Sequence, residues 1–261
     1  MCKLRVFKAI IHGDICALTI ELEENPHLAS ASAQWNWTVM HEAAQRGRAT
    51  MIELLVKKGS TAIDTLNNAN RTPMFLAAEK GHALTIEMLV QMGSQTIDSP
   101  NEGYNWTPMH TAALNGHVSV IEMLVRLGST SIDTSTGRGW TPMHAAASRG
   151  HISVIETLIQ LGSTSIDTLD MRGESPLYIA LMREKWECVE VLKAHGADRS
   201  IARLSSLTPK HLNHLDKPTD ESESAETRYR AYFNQSCVSR LLSHLDTAKR
   251  SSSPSTRHLL E

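Results

Sequence analysis

The stretch Gly139–Gly162, GWTPMHAAASRGHISVIETLIQLG, contains the local signals from which the fold follows. Thr141 can cap a helix with its hydroxyl. Pro142 suits the first helical position because its φ is already helical and its missing N–H is not needed there. Gly150 predicts the end of that helix, since glycine readily adopts the left-handed conformation. A second helix with apolar residues at helical spacing follows and ends at Gly162. The stretch therefore predicts two short helices joined by a tight turn.

This helix-turn-helix unit recurs along the chain. The tetrapeptide that opens its first helix begins at six positions, Thr38, Thr72, Thr107, Thr141, Ser175 and Thr208. The intervals between these positions are 34, 35, 34, 34 and 33 residues. Repeats of this period indicate a solenoid, in which each unit packs only against its neighbours.

The repeated motifs resemble those of the ankyrin repeat. That family has Thr-Pro-Leu-His-x-Ala at the start of its first helix, Gly-His before its second helix and a closing Gly, and this sequence has TPMH at both Thr107 and Thr141. The resemblance extends from about Lys3 to about Asp216. It implies an all-α solenoid of stacked helix-turn-helix units with β-hairpin fingers between them, and it implies a non-catalytic binding scaffold.

The sequence predicts six segments. These are an N-terminal capping repeat (1–33), about five ankyrin repeats (34–200), a partial C-terminal repeat (201–216), an acidic linker (217–226), a C-terminal amphipathic helix (227–248) and a disordered tail (249–261). The C-terminal helix can either cap the open end of the solenoid or bind a partner, and in the second case it can also form a homodimer.

Two further expectations concern individual units. In the connecting segment GSTSID, Ile132 is expected to be the buried anchor. In the last complete unit Glu184 and Lys185 replace Gly-His, so its first helix is expected to run into the turn without a stop signal.

Composition narrows the class of function. The formal net charge of −2 gives no overall electrostatic case for binding nucleic acid or an anionic membrane. No apolar run has the length of a membrane span or a signal peptide. The four cysteines are scattered without C-x-x-C spacing, which fits reduced thiols in a cytoplasmic protein.

The histidines, which are candidates for metal binding or catalysis, have a structural interpretation. Most of the thirteen histidines lie at motif positions, where the resemblance implies hydrogen bonds to the capping Thr and to nearby backbone. No carboxylate or thiol recurs with them at ligand spacing. The sequence therefore predicts no catalytic residue, no metal site and no cofactor.

One position in each repeat, directly before the capping Thr or Ser, is informative. It holds Trp37, Arg71, Trp106, Trp140 and Glu174, and so includes three of the five tryptophans. The resemblance implies that this position lies at the base of a finger and faces the concave groove. Trp and Arg dominate binding hot spots, so the row predicts a binding surface. The alternative is packing, with Arg71 stacked between Trp37 and Trp106.

The predicted partner-binding residues extend this row to the finger tips and the ends of the first helices. They are Trp35, Trp37, Arg71, Tyr104, Trp106, Arg138, Trp140, Arg149, Arg172 and Arg183. This aromatic and moderately basic surface suits a protein or peptide segment with some acidic groups. It lacks the continuous basic stripe of a nucleic-acid site, and we expect a monomer that binds neither specific nucleic acid nor membrane.

The sequence is compatible with two alternative biological roles. The repeats are similar to those of ankyrin proteins that intracellular bacteria deliver into host cells, which would make this a secreted effector that engages a host protein in the host cytoplasm. The repeats can also be the targeting module of a larger adaptor or enzyme.

Overall fold

The computed structural model describes residues 2–198 together with Lys210, His211 and His214. The rest of the predicted partial repeat 201–216, the linker 217–226, the helix 227–248 and the tail 249–261 lie outside the described residues. The chain divides into two units, 1–206 and 207–261.

Twelve α-helices follow one another in residues 2–198, which contain no β-strand apart from an isolated antiparallel bridge between Ser32 and Thr38. The helices are α1 (Cys2–His12), α2 (Ile15–Glu24), α3 (Val39–Gln45), α4 (Ala49–Lys57), α5 (Pro73–Glu79), α6 (Ala83–Gln91), α7 (Pro108–Asn115), α8 (Val118–Arg126), α9 (Pro142–Arg149), α10 (Ile152–Gln160), α11 (Pro176–Met182) and α12 (Trp186–Ala194). Short 3₁₀ helices occupy Pro26–Ser30, Gln34–Asn36 and Ser165–Asp167.

The helices form two parallel rows. The odd-numbered helices, called first helices here, contact one another in the order α1, α3, α5, α7, α9 and α11. The even-numbered second helices contact one another in the order α2, α4, α6, α8, α10 and α12. Each unit therefore packs only on its neighbours, and the predicted all-α solenoid is confirmed.

The capping residues begin the first helices where the sequence predicts. The side chains of Thr38, Thr72, Thr107, Thr141 and Ser175 each accept a hydrogen bond from the backbone N–H three residues later. This bond satisfies one of the N–H groups that a helix start leaves unpaired.

The core lies between the two rows of helices. Met40, Met74, Met109, Met143 and Leu177 occupy equivalent positions in successive first helices, and each is fully buried. In α3, α5, α7 and α9 a pair of buried alanines keeps the first helix narrow, so that neighbouring helices approach closely. Leu18, Ile52, Ile86, Ile121 and Ile155 cover this layer from the second helices.

The connecting segment GSTSID joins each unit to the next through a carboxylate. Asp98 accepts hydrogen bonds from the Ser129 hydroxyl, from the Thr130 N–H and hydroxyl, and from the Ser131 hydroxyl at 2.7 Å. Asp133 accepts the corresponding bonds from the following unit. Ser131 is buried whereas Ile132 is only half-buried, so the predicted anchor Ile132 was wrong. The serine is buried because the carboxylate of the preceding unit satisfies its hydroxyl.

Each segment between a second helix and the next first helix forms a finger, closed by backbone hydrogen bonds. In the finger 134–140, the Thr136 N–H donates to the Trp140 carbonyl at 2.8 Å and the Gly139 N–H donates to the Thr136 carbonyl at 2.9 Å. The fingers 65–71 and 168–174 repeat this pattern. Within residues 2–198 the fingers are hydrogen-bonded turns, and the predicted β-hairpins are not present as strands.

The end of α11 differs from the expectation. Glu184 has φ 53°, in the left-handed region that Gly150 occupies at the end of α9 with φ 86°. The helix stops at Met182, so the expectation that it would run into the turn was wrong. The surrounding fold holds a non-glycine residue in this conformation, which costs roughly 1 kcal/mol.

Substitution at Glu184 tests this strain. We expect Glu184→Gly to have a free energy of unfolding about 1 kcal/mol higher than Glu184→Ala, because both variants lack the carboxylate and only alanine keeps the steric conflict. Urea unfolding followed by circular dichroism measures the difference. Equal stability of the two variants would contradict the assignment of strain to this residue.

Candidate functional site

The bases of three fingers are each held by a histidine of the preceding repeat. His110 Nε2 donates to the Trp140 carbonyl oxygen at 2.9 Å, and His144 Nε2 donates to the Glu174 carbonyl oxygen at 3.1 Å. His41 makes the same contact with the Arg71 carbonyl at 3.0 Å. The backbone at Arg71, Trp140 and Glu174 is therefore ordered before a partner binds.

The hydrogen bonds of these histidines define their protonation state. In the third repeat, His110 Nδ1 accepts from the Thr107 N–H at 3.3 Å and from the Thr107 hydroxyl at 2.8 Å. With Nε2 donating to a carbonyl, the ring is the neutral Nε2–H tautomer. Burial lowers the pKa of His110 to about 4 and also lowers the pKa of His41 and of His144.

The tryptophans of the row pack within the protein and leave part of each ring open. The ring centroids of Trp106 and Trp140 lie 6.4 Å apart at an interplanar angle of 46°. Trp37 stacks on His41 with centroids 5.5 Å apart, and its Nε1–H donates to Glu42 at 2.8 Å. Both Trp106 and Trp140 are half-buried, so each contributes to packing and still presents surface.

Arg71 does not form the rung expected between Trp37 and Trp106. Its guanidinium lies over the ring of Phe75, 5.5 Å from the centroid, and pairs with Glu79 at 3.1 Å. Phe75 stands where the neighbouring repeats have His41 and His110, and its ring has no polar atom to engage the following finger. This difference draws Arg71 onto its own first helix.

The last three fingers are joined by backbone hydrogen bonds. The Gly137 N–H donates to the Tyr104 carbonyl at 3.0 Å, and the Met171 N–H donates to the Arg138 carbonyl at 3.0 Å. The Arg138 guanidinium also lies 5.3 Å from the centroid of the Tyr104 ring. These contacts make one continuous surface of the fingers from Tyr104 to Glu174.

Two adjacent cavities lie on this surface. The aromatic notch has a volume of about 320 Å³ and is lined by Tyr104, Trp106, Thr136, Arg138 and Trp140. The arginine cavity has a volume of about 680 Å³. It is lined by Arg138, Trp140, Asp170, Met171, Arg172, Glu174, Tyr178, Ile179, Met182 and Arg183. The two cavities share Arg138 and Trp140, and together they form one groove.

The structure brings six of the ten predicted binding residues together in this groove. These are Tyr104, Trp106, Arg138, Trp140, Arg172 and Arg183. Trp35, Trp37 and Arg71 lie on the preceding fingers, outside both cavities. Arg149 lines a separate cavity of about 390 Å³ with Lys185 and Trp186, next to the turn that follows α11.

Asp170 belongs to the site and was absent from the predicted set. Its Oδ2 accepts from Trp140 Nε1 at 3.1 Å, while its Oδ1 accepts from the backbone N–H of Arg172 at 2.8 Å and of Glu174 at 2.9 Å. Asn67 and Thr136 occupy the equivalent position and close their own fingers in the same way. The sequence did contain a signal for Asp170, because an Asn, Thr or Asp recurs at this position of the finger. Such side chains commonly hydrogen-bond the backbone of a turn.

Within residues 2–198, no group of three or more His, Cys, Asp or Glu side chains is arranged to hold a metal ion. None of the helices in this part of the chain combines the length and the apolar character needed to cross a membrane.

The architecture defines a repeat solenoid that presents a row of linked fingers beside its first helices. The family model for ankyrin repeats, three copies, matches residues 6–100, 63–134, 94–168 and 126–203. These overlapping matches cover most of the chain, so the protein belongs to the ankyrin-repeat family. Ankyrin repeats generally act as protein–protein interaction modules, and the family is typically non-catalytic. No curated protein matches the chain.

Proposed function

We propose that this protein is a non-catalytic scaffold that binds a partner protein, or an extended segment of one, through the concave groove of its ankyrin array. The observation that carries the proposal is the pair of adjacent cavities that share Arg138 and Trp140. Aromatic and arginine side chains in such a depression supply large, rigid contact area together with hydrogen-bond donors.

The distribution of exposed apolar side chains also supports the proposal that the finger face binds the partner. Among the residues that the structure describes, ten large apolar side chains are exposed, and six of them lie in the fingers or at the adjoining end of a first helix. These six are Trp35, Leu66, Tyr104, Leu169, Met171 and Met182. Met171, at the tip of a finger, is 77% exposed. Apolar surface gathered on one face of a protein is typical of an interaction site.

Preorganisation of the groove also supports binding. Histidine contacts hold the bases of the fingers that carry Trp140 and Glu174, backbone hydrogen bonds join the finger tips, and Asp170 holds the indole of Trp140. A surface that is already ordered loses little conformational entropy when a partner binds. The proposed centre of the site is therefore the groove, with Trp35, Trp37 and Arg71 as its extension toward the N-terminus and Arg149 outside it.

The proposal includes a monomer in the cytoplasm that needs no cofactor. The described cysteines are free, with Cys2 and Cys16 exposed and Cys188 buried, which suits a reducing compartment. Burial raises the pKa of the Cys188 thiol to about 11, so this thiol is protonated at neutral pH and is a poor nucleophile.

The test removes the two indoles that line the aromatic notch. Short random peptides displayed on phage are selected on the immobilised full chain, and the affinity of each selected peptide is measured by fluorescence anisotropy. We expect the double variant Trp106→Ala/Trp140→Ala to weaken binding by at least about 30-fold, because aromatic anchors dominate such interfaces.

Trp186→Ala is the matched control, since Trp186 lines the separate cavity beside Arg149. Circular dichroism establishes that both variants are folded. Peptides that bind the folded double variant as tightly as the wild type would show that the groove is not the binding site.

A further inference from the structure

Two arginines of the groove have side chains without a partner in the described part of the chain. Arg172 and Arg183 are both exposed and line the arginine cavity, and within the described residues neither guanidinium makes a hydrogen bond or an ion pair. Other arginines of this protein are paired, as Arg71 is with Glu79 and Arg126 is with Glu87. The cavity therefore presents guanidinium groups that are free to bind an anion.

The charge of the cavity indicates which anion fits. Three guanidiniums, those of Arg138, Arg172 and Arg183, line it together with the carboxylates of Asp170 and Glu174, which leaves one net positive charge. Asp170 is already engaged by the Trp140 indole and by two backbone N–H groups. A single carboxylate neutralises this cavity, whereas a doubly charged phosphate would leave negative charge beside Glu174. A planar carboxylate also matches the two parallel N–H groups that a guanidinium offers.

The neighbouring aromatic notch indicates what lies beside that carboxylate in the partner. Its walls include the rings of Tyr104, Trp106 and Trp140, so it suits an apolar side chain. Successive first helices pack with their axes roughly 8–10 Å apart. The two cavities follow this spacing because each lies between a different pair of adjacent fingers. An extended peptide advances about 3.3 Å per residue, so the two cavities are about three residues apart along a bound segment.

We infer that the groove selects an extended peptide segment in which an acidic side chain enters the arginine cavity and an apolar side chain, about three residues away, enters the aromatic notch. This inference rests on the proposed function, and it adds the chemical character of the partner. Arg172 and Arg183 read the acidic residue, while Trp106 and Trp140 read the apolar one.

The probes are the phage-selected peptides, each synthesised as selected and with every Asp or Glu replaced by Asn or Gln. We expect the selected peptides to share an acidic and an apolar residue two to four positions apart. We also expect neutralisation of that acid to weaken binding to the wild type by about 10-fold, the loss of one charge-assisted contact. The double variant Arg172→Gln/Arg183→Gln should bind the acidic peptide more weakly than the wild type does, by a similar factor. It should bind the peptide whose acid is replaced by Asn or Gln as tightly as the wild type does. Such coupling shows that acid and arginines interact directly.

Arg149→Gln is the control, because Arg149 is exposed and lies outside the groove. Peptides that need Trp106 and Trp140 but bind equally well with and without their acids would overturn this inference and leave the proposed function in place. The inference is also overturned if phosphoserine in place of the acid tightens binding by about 10-fold or more. Failure to select any peptide that depends on the two tryptophans overturns both proposals.

Discussion

Lowering the pH from 7 to 4 is expected to lower the free energy of unfolding by about 3 kcal/mol through His110 alone, since each unit of pKa shift corresponds to about 1.4 kcal/mol. Burial lowers the pKa of His110 from its ordinary value near 6.5 to about 4, and the nearby His144 contributes in the same direction. His41 and His144 also have lowered pKa values and add to the effect.

The hydrogen bonds of the ring explain why protonation is unfavourable in the folded state. His110 Nδ1 accepts from both the N–H and the hydroxyl of Thr107, so a proton on Nδ1 would face a backbone donor. In the unfolded chain the ring is solvated and binds a proton near pH 6.5. Between pH 6.5 and 4 the unfolded state therefore holds more protons than the folded state. Stability is constant above this window, falls as the pH drops through it, and is level again below it as far as this residue is concerned.

The chain itself supplies a control, because Phe75 occupies the equivalent position in the preceding repeat. Thr72 still caps its helix there by accepting from the Phe75 N–H at 3.1 Å. We expect His110→Phe to be less stable than the wild type at pH 7 by about 1–2 kcal/mol, through loss of its hydrogen bonds to Thr107 and to the Trp140 carbonyl. Its stability should depend less on pH, so that the difference from the wild type shrinks or reverses by pH 4.

Urea unfolding at a series of pH values, followed by circular dichroism, measures both quantities. An unchanged pH dependence in His110→Phe would contradict the assignment to this ring.

A separate loss of stability is expected at lower pH from the carboxylates that join successive repeats. Burial raises the pKa of Asp98, but the hydrogen bonds from Ser129, Thr130 and Ser131 outweigh it and lower the pKa overall. These bonds stabilise the fold fully at pH values above the ordinary pKa of an Asp carboxyl. This stabilisation is lost as the pH falls through the lowered pKa.

The elements that sequence reasoning predicted correctly depend on short-range rules. Thr141 caps α9 and Gly150 ends it because capping and left-handed glycine act within a few residues of the chain. Six of the predicted binding residues also meet in one groove, because a residue at the same position in every repeat is placed by the repeat itself. For these six residues, the period of the sequence is thus sufficient to predict that they become neighbours.

The features that were missed depend on contacts between repeats. Ile132 looks like the anchor of its segment by hydropathy, yet Ser131 is buried because Asp98, more than thirty residues earlier, satisfies its hydroxyl. Glu184 takes a conformation that its own sequence disfavours, because the neighbouring structure ends the helix there. Arg71 turns to Phe75 and Glu79 because this repeat lacks the motif histidine. Such choices between competing partners require the positions of the neighbouring units.

Gly139→Ala is expected to lower the free energy of unfolding by about 3 kcal/mol and to open the groove at the junction of two fingers. Gly139 has φ 80°, and a Cβ placed on it would lie 2.9 Å from Asp170 Cα and 2.9 Å from Met171 N. Both atoms are backbone, so neither can rotate away as the end of a side chain could. The fingers must separate, which weakens the bond of 3.0 Å from the Met171 N–H to the Arg138 carbonyl.

Gly162→Ala is the matched control for Gly139→Ala, because it shares the left-handed backbone and lacks the clash. Gly162 has φ 87° and nothing within 4 Å of its added Cβ, so we expect a loss of only about 1 kcal/mol. Urea unfolding compares the two variants, and equal losses would show that contact between the fingers adds nothing to stability. Because Arg138 and Trp140 flank Gly139 and belong to both cavities, Gly139→Ala should also weaken binding of the selected peptides, while Gly162→Ala should leave it unchanged. A folded Gly139→Ala variant that binds these peptides normally would mean that the aromatic notch and the arginine cavity work independently of the distance between their fingers.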